Sequence, residues 1–333
     1  MKIGIIGGTG MLGHHIAIAA HFKQYELVII HRKSTDLSKI SDLKFESRIA
    51  DLGDRGSMIN ALKGLDYVVN AAAYYPTVPK PLSAEIKTAR LQMQFFIDAI
   101  RECKVTKALY VGGAIALTKS TTGVADESMT YDKTPENTAA YVQVKWLMDD
   151  MAQHAAESGI PIIIGIPSMT FGEYDYGPTT GRLVVELANQ TLPAYIKGDR
   201  NVVYAGDAGR GLLLALEKGK IGERYLIGGE NTNTDDLVAA ICDRSGVKKL
   251  EKTLSIKVAK VISKVQETKY ALFRGTPPTL SSTAIAVLSG GQHLNTNKAK
   301  EVLGYEAHLS TKDAVDRAYK WFKEVGYIKN KKD

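Results

Sequence analysis

Apolar and polar residues alternate along the chain in blocks that predict strands and helices in turn. Short strands are predicted at 2–6, 26–30, 45–49, 67–70, 108–111 and 161–166. Helical periodicity follows the first strand and spans about 84–103 and 141–158. Strands that alternate with helices at this spacing predict an α/β fold, a Rossmann-type doubly wound parallel sheet.

The pattern becomes less regular after Pro167. A loop rich in Gly, Tyr, Thr and Pro spans 172–181. Beyond it we predict helices at 183–189 and 209–216 and strands at 201–205 and 224–227, followed by a mainly helical remainder. This predicts a dinucleotide-binding domain from 1–170 and 199–228, with a smaller, mostly helical substrate-binding domain from 171–198 and 229–330.

One helix of the C-terminal part has an apolar stripe opposed by lysines. The stripe consists of Leu254, Val258, Val261, Ile262 and Val265, and the lysines are Lys257, Lys260 and Lys264. Such a helix can lie on a membrane surface or pack on a neighbouring domain. Because the stripe has no large aromatic residue, we expect packing on the neighbouring domain and no membrane partner.

Composition narrows the class of protein. Of 333 residues, 44% are hydrophobic and 24% charged, as in ordinary globular proteins, and no apolar run is long enough for a membrane span. The N-terminus does not resemble a signal peptide. The two cysteines, Cys103 and Cys242, indicate neither a disulfide framework nor a metal site, so a cytoplasmic location is expected.

Charge is unevenly distributed. From Val247 onward the chain has 17 Lys and Arg against 8 Asp and Glu, within a total net charge of +7. This basic part could attract an anionic small-molecule substrate, or it could be a solvated surface. No nucleic-acid partner is predicted.

Glycines directly after the first strand predict a dinucleotide site. Gly7, Gly10 and Gly13 are spaced three apart and lead into a helix. They permit the tight turn, the approach of backbone N–H groups to a pyrophosphate, and close packing of helix on strand. The phosphates would lie at the helix N-terminus, beside Thr9, Met11 and Leu12.

Residues at later strand ends indicate how the rest of a dinucleotide would bind. Arg32 and Lys33 follow the second strand, where no acidic residue stands, which favours NADP(H) over NAD(H). Asp51, before Leu52, is placed to cap a helix or to contact adenine. The small residues Ala71, Ala72 and Ala73 end the fourth strand and would let a flat ring lie against the backbone.

Tyr141 and Lys145 are candidate catalytic residues. They lie one helical turn apart, and a lysine beside a tyrosine stabilises the phenolate. The same spacing recurs at Tyr319/Lys323 and Tyr327/Lys331, so spacing alone does not identify a site. Only Tyr141 begins the helix between the fifth and sixth strands, whose carboxyl ends line the cofactor crevice.

With these motifs the chain resembles the extended short-chain dehydrogenases/reductases of the NAD-dependent epimerase/dehydratase family. It is most similar in kind to dihydroflavonol-reductase-like proteins and hopanoid-associated sugar epimerases. The resemblance covers nearly the whole chain. Besides the residues above, it includes Asn70, Ile166-Pro167-Ser168, Gly177 to Arg182, Asn201 to Asp207, Gly222 to Tyr225, Ala299 to Tyr305 and Trp321 to Tyr327.

The resemblance implies a role for each matching residue. Tyr141 would exchange a proton with the substrate oxygen, and Lys145 would hold the nicotinamide ribose and lower the pKa of the tyrosine. Pro167 and Ser168 would lie at the cofactor and Arg182 at the substrate. The family also has a Ser or Thr at the position of Gly113, where this chain has no hydroxyl. Thr118, Ser120 or Tyr75 could replace it.

Three functions therefore remain open. The first is an NADP(H)-dependent oxidoreductase for a secondary alcohol or ketone. The second is a nucleotide-sugar epimerase or dehydratase that retains NAD. The third is a catalytically weak NADP-binding regulator, because Gly113 replaces the hydroxyl residue. A homodimer is consistent with each, and no histidine grouping predicts a metal site.

Overall fold

The protein is described by a computed structural model that covers residues 1–72, 74–76, 80–273, 275, 278 and 280–329. The strands are β1 (Lys2–Ile6), β2 (Glu26–His31), β3 (Glu46–Ile49), β4 (Tyr67–Asn70), β5 (Lys107–Val111), β6 (Val124–Ala125), β7 (Ile162–Pro167), β8 (Met169–Phe171), β9 (Asp199–Tyr204), β10 (Arg224–Ile227), β11 (Glu230–Asn233) and β12 (His293–Leu294). The helices are α1 (Met11–Phe22), α2 (Arg55–Leu62), α3 (Leu82–Cys103), α4 (Ala140–Glu157), α5 (Arg182–Ala188), α6 (Ala205–Lys218), α7 (Thr234–Ser245), α8 (Ile256–Phe273), α9 (Ser282–Gly290) and α10 (Thr311–Glu324).

Seven parallel strands form the central sheet, in the order β10-β7-β5-β4-β1-β2-β3. This confirms the predicted doubly wound α/β fold. The chain reverses its direction of travel across the sheet between β1 and β4. Ligands of such sheets bind outside the carboxyl ends of the strands at this switch point.

Both faces of the sheet are covered around its central strands, which explains why β1, β2, β4, β5 and β7 are mostly apolar, whereas the edge strand β3 is largely polar and exposed. Side chains such as Val28 and Ile30 join the core formed with α2, α3 and α4. Ile29, between them, joins the core formed with α1 and α6 on the opposite face. Successive side chains of a strand thus point alternately into two hydrophobic cores, one on each face of the sheet.

The C-terminal part has its own core. It is built from residues of α5, α7 and α10, including Leu187, Leu237 and Phe322. Strand β9, predicted as part of the dinucleotide-binding domain, pairs with β8 and β11 in a separate three-stranded sheet. The domain division given above remains a prediction.

The expected packing of the apolar stripe on α8 is wrong for most of its length. Val258, Val261 and Val265 are 50%, 65% and 63% exposed. The residues of α8 that are buried are instead the small Ala259 and Ser263. Within the described residues, no helix is long and apolar enough to cross a membrane.

Candidate functional site

The glycine-rich turn lies at the switch point of the sheet. Gly7 ends β1 with φ +83°, and a Cβ there would come within 2.8 Å of the Ala72 Cβ. A Cβ on Gly13 would come within 2.2 Å of the Gly7 carbonyl oxygen. These two glycines are therefore demanded by the fold, through the left-handed turn and the close approach of α1 to the strand.

Gly10 differs from them, because a Cβ there would meet nothing closer than the Gly7 oxygen at 3.4 Å. It is exposed at the start of α1, where no described side chain caps the helix. The first-turn N–H groups, including those of Met11 and Leu12, have no carbonyl partner one turn earlier. With the partly exposed Thr9, this end of the helix provides unpaired donors and a positive dipole end for an anion.

Arg32 and Lys33 extend from the end of β2 as exposed side chains. Neither forms an ion pair or side-chain hydrogen bond within the described part of the chain. The nearest acid in sequence, Asp36, is engaged elsewhere, because it accepts hydrogen bonds from the N–H and hydroxyl of Ser38. Two cations are thus available for a phosphate.

The prediction that Asp51 caps a helix is wrong. Asp54 caps α2, by accepting from the N–H groups of Gly56 and Ser57. Asp51 instead accepts from the Gly53 N–H at 2.7 Å and remains exposed after β3, while Leu52 is buried in the core. The other role considered for Asp51, contact with adenine, stays a prediction.

The ends of β4 and β7 complete the crevice. Asn70 accepts a hydrogen bond from the Ala72 N–H at 3.1 Å, which fixes the backbone at Ala71 and Ala72. Ala73 lies outside the described residues. Pro167 ends β7, and the next residue, Ser168, has a buried hydroxyl without a described partner. An orphaned buried hydroxyl at this edge fits a polar ligand such as a nicotinamide dinucleotide.

Tyr141 and Lys145 converge on the end of β5. A Cβ built on Gly113 would lie 3.9 Å from the Tyr141 hydroxyl oxygen and 3.9 Å from the Lys145 Cε. Gly113 is extended, with φ −162°, a conformation open to any residue. Nothing in its surroundings therefore requires glycine, and the Cβ of a serine would lie beside the Tyr141 hydroxyl and the Lys145 side chain.

Burial sets the proton affinity of both groups. It lowers the pKa of the Lys145 ammonium to about 8. It also raises the pKa of the Tyr141 phenol, with a smaller contribution from Tyr75. In the chain without ligands the lysine therefore does not lower the pKa of the tyrosine below its usual range.

A buried ion pair next to Lys145 escaped the sequence analysis. Asp149 lies one turn further along α4, and its charge raises the pKa of Lys145 against the effect of burial. The Arg224 Nε donates to Asp149 Oδ2 at 2.7 Å. The Lys145 to Asp149 spacing was visible in the sequence, whereas the partner from β10, 75 residues away, was not.

The candidate substrate residues Tyr75, Thr118 and Arg182 have different surroundings. The Tyr75 ring packs edge-on against the Tyr141 ring, with centroids 4.7 Å apart. The Thr118 backbone bonds to Met129 and Gln292. Arg182 is exposed at the start of α5 and pairs with Glu186 one turn later. Of these three residues, Tyr75 is the one seen against Tyr141.

Histidines form no metal site in the described ranges, where no group of three His, Cys, Asp or Glu could hold an ion. His14 is buried, stacks on Tyr174 and bonds to Asp42 at 3.0 Å. Burial lowers the pKa of His15 to about 4, so it is neutral at pH 7. Both belong to the packing of α1.

Comparison with known proteins agrees with the fold. The profile of the NAD dependent epimerase/dehydratase family matches residues 3–228. A nucleoside-diphosphate-sugar epimerase from Pseudomonas aeruginosa is 35% identical, with a TM-score of 0.85 over 99% of both chains. A putative dihydroflavonol 4-reductase from Synechocystis sp. is 26% identical over 98% of this chain and 95% of its own.

A third relative is the sterol demethylase protein B of Methylococcus capsulatus. It is 22% identical, over 97% of this chain and 99% of its own. Relatives with reductase, demethylase and epimerase names thus share the same full-length framework. The chain belongs to the NAD dependent epimerase/dehydratase family.

Proposed function

We propose that this protein is an NADP(H)-dependent oxidoreductase that interconverts a secondary alcohol and a ketone. The observation that carries the proposal is the convergence of the Tyr141 hydroxyl and Lys145 on the end of β5, beside Gly113. A half-buried phenol and a buried ammonium at the switch-point edge of the sheet would supply acid–base chemistry where a dinucleotide would bind.

The chain's residues would act as a proton relay. In the reductive direction Tyr141 donates its proton to the carbonyl oxygen, and the Lys145 cation stabilises the phenolate that results. A nicotinamide dinucleotide held in this crevice would be the source of the hydride for the carbonyl carbon. In the oxidative direction the phenolate takes the alcohol proton back. Burial of Lys145 beside the half-buried Tyr141 would strengthen this charge interaction.

Residues of the crevice would divide the cofactor among them. The Gly7–Gly13 turn would hold the pyrophosphate, Asp51 would meet adenine, and Lys145 and Ser168 would lie toward the nicotinamide half. Arg32 and Lys33 would pair with a 2′-phosphate, which is the support for NADP(H). Titration of the purified protein with NADPH and NADH tests this, and tighter binding of NADH would overturn it.

Turnover is tested by following NADPH absorbance with a panel of carbonyl compounds. In view of the names of the relatives, the panel includes dihydroflavonols and sterol-derived ketones. Oxidation of NADPH that requires both the carbonyl compound and Tyr141 would support the proposal. An unchanged rate in Tyr141→Phe would contradict the assigned role of the phenol.

A second candidate is a nucleotide-sugar epimerase or dehydratase, favoured by the 35% identity to the Pseudomonas aeruginosa epimerase. The same Tyr141 and Lys145 would then serve a transient oxidation of the sugar, with the cofactor retained. Protein that purifies with bound NAD and shifts the anomeric NMR signals of UDP-sugars would promote this function over the first. Arg32 and Lys33 after β2 disfavour this function, because they favour NADP(H) over the NAD that such an enzyme would retain.

A further inference from the structure

Helix α8 has two apolar faces, of which the described part of the chain covers one. Ala259 on the covered face forms a small cluster with Ile196 and Ile285, the latter from α9. On the other side Val258, Val261 and Val265 project into solvent. A globular helix normally has a single apolar stripe, directed at the core. Among the residues that the structure describes, none covers the outer stripe of α8.

The outer stripe continues to the end of the helix with larger side chains. Leu272 is 71% exposed and Phe273 is 77% exposed. At 100° per residue, Val258, Val261, Val265 and Leu272 fall within about one sixth of the helix circumference. The central stripe has no large aromatic residue, and for that reason no membrane contact was expected. Phe273 provides an aromatic anchor at the C-terminal end of the helix.

Lysines border this stripe along one side. Lys257, Lys260 and Lys264 are exposed and form no hydrogen bond or ion pair within the described residues. Glu267 is the one acidic residue of α8, and it accepts a hydrogen bond from the Ser282 N–H. Between 248 and 264 the sequence has six lysines and one acid. The face is therefore both apolar and strongly cationic.

We propose that the outer face of α8 docks on the surface of an anionic lipid membrane. Apolar side chains would enter the boundary between head groups and acyl chains while the flanking lysines bind lipid phosphates and carboxylates. Lys269, within the stripe, is long enough to extend its ammonium back to the head groups. A second copy of the chain is the poorer occupant, because its α8 offers no unengaged acid to neutralise the lysines.

The docked helix would lie close to the candidate active site. Helix α9, on which α8 packs, ends at Gly290, where a Cβ would come within 2.4 Å of the Ile115 Cδ1. Ile115 is two residues beyond Gly113. Arg200 ties the same end of α9 down by donating to the Leu288 carbonyl oxygen at 2.6 Å. The membrane-facing helix and the Tyr141 site therefore share adjoining elements.

Vesicle flotation of the full-length protein tests the proposal without any need for turnover. We expect binding to vesicles made of equal parts phosphatidylserine and phosphatidylcholine, little binding to pure phosphatidylcholine, and weakening with added salt. Val261→Gln/Val265→Gln should reduce the partition coefficient at least about tenfold. Lys257→Gln/Lys260→Gln/Lys264→Gln should reduce it by about a hundredfold, at roughly fivefold per lysine.

Matched controls carry the same chemical changes elsewhere on the surface. Val302→Gln/Val325→Gln alters two other exposed valines, and Lys44→Gln/Lys87→Gln/Lys312→Gln removes three exposed lysines that have no described ion pair. Both should float like the unmodified protein. Circular dichroism melting verifies that every variant is folded. The variant Val261→Trp should also show blue-shifted tryptophan emission on the anionic vesicles.

Three results would overturn the proposal. The first is no flotation with anionic vesicles. If the α8 variants then change the oligomeric mass of the protein in solution, a second copy of the chain is the occupant of this face. The second is equal flotation of the α8 and control variants. The third is equal binding to neutral and anionic vesicles, which would remove the role of the lysines.

Discussion

A Cβ placed on Gly113 would lie 3.9 Å from the hydroxyl oxygen of Tyr141. We therefore expect Gly113→Ser to fit and to add a donor for the substrate oxygen. Removing such a donor costs about 10²–10³-fold in other enzymes, so turnover should rise at least about tenfold. Gly113→Ala is the control, because it adds the carbon without the hydroxyl.

Two other outcomes of this substitution are informative. A fall in activity would mean that a neighbouring hydroxyl already serves, and Tyr75, packed on Tyr141, would be substituted before Thr118. Background rates in both Gly113→Ser and the unmodified protein, with a melting temperature still raised by NADPH, would favour the cofactor-binding regulator.

Cofactor preference should depend on the two cations after β2. Arg32→Ala/Lys33→Ala is expected to weaken NADPH binding by at least about tenfold while leaving NADH binding within about twofold, because only NADPH carries the 2′-phosphate. Fluorescence titration with both cofactors measures this. Equal losses for the two cofactors would instead indicate damage to the common part of the site.

The reductive rate should fall as the pH rises through about 8. Burial lowers the pKa of the Lys145 ammonium to about 8, so the cation that stabilises the Tyr141 phenolate is present below this pH and lost above it. Because bound phosphates favour the cation, saturating NADPH should move the descending limb to higher pH. Rate profiles at low and saturating NADPH measure the limb, and a flat profile to pH 10 would contradict the role of Lys145.

Stability should depend on the Asp149–Arg224 pair. Asp149→Ala leaves a buried guanidinium without its counter-charge, which costs about 3–5 kcal/mol of unfolding free energy. Asp149→Leu/Arg224→Met removes both charges and should recover most of the loss. Urea unfolding measures each variant. A single-variant loss below about 1 kcal/mol would show that the pair is not buried as described.

The parallel sheet was predictable because local apolar runs and intervening helical periods specify it without knowledge of distant contacts. The glycine turn and the helix carrying Tyr141 were found for the same reason. The predictions that failed depended on contacts between residues distant in sequence. Strand β9 pairs with β8 and β11 and not with the central sheet. Periodicity on α8 showed which residues share a face, but it did not show what covers that face. Similarly, Asp51 and Asp54 both precede a helical segment, and the sequence pattern did not fix that the helix begins directly after Asp54.

The most direct test of the proposed chemistry is deuterium transfer from NADPH labelled at the nicotinamide carbon, with the carbonyl panel as acceptor. We predict label at the carbinol carbon of one product with the unmodified protein. With Tyr141→Phe we predict none above background, although the variant still binds NADPH. Absence of label from every compound, together with exchange of UDP-sugar signals by protein holding NAD, would contradict the oxidoreductase.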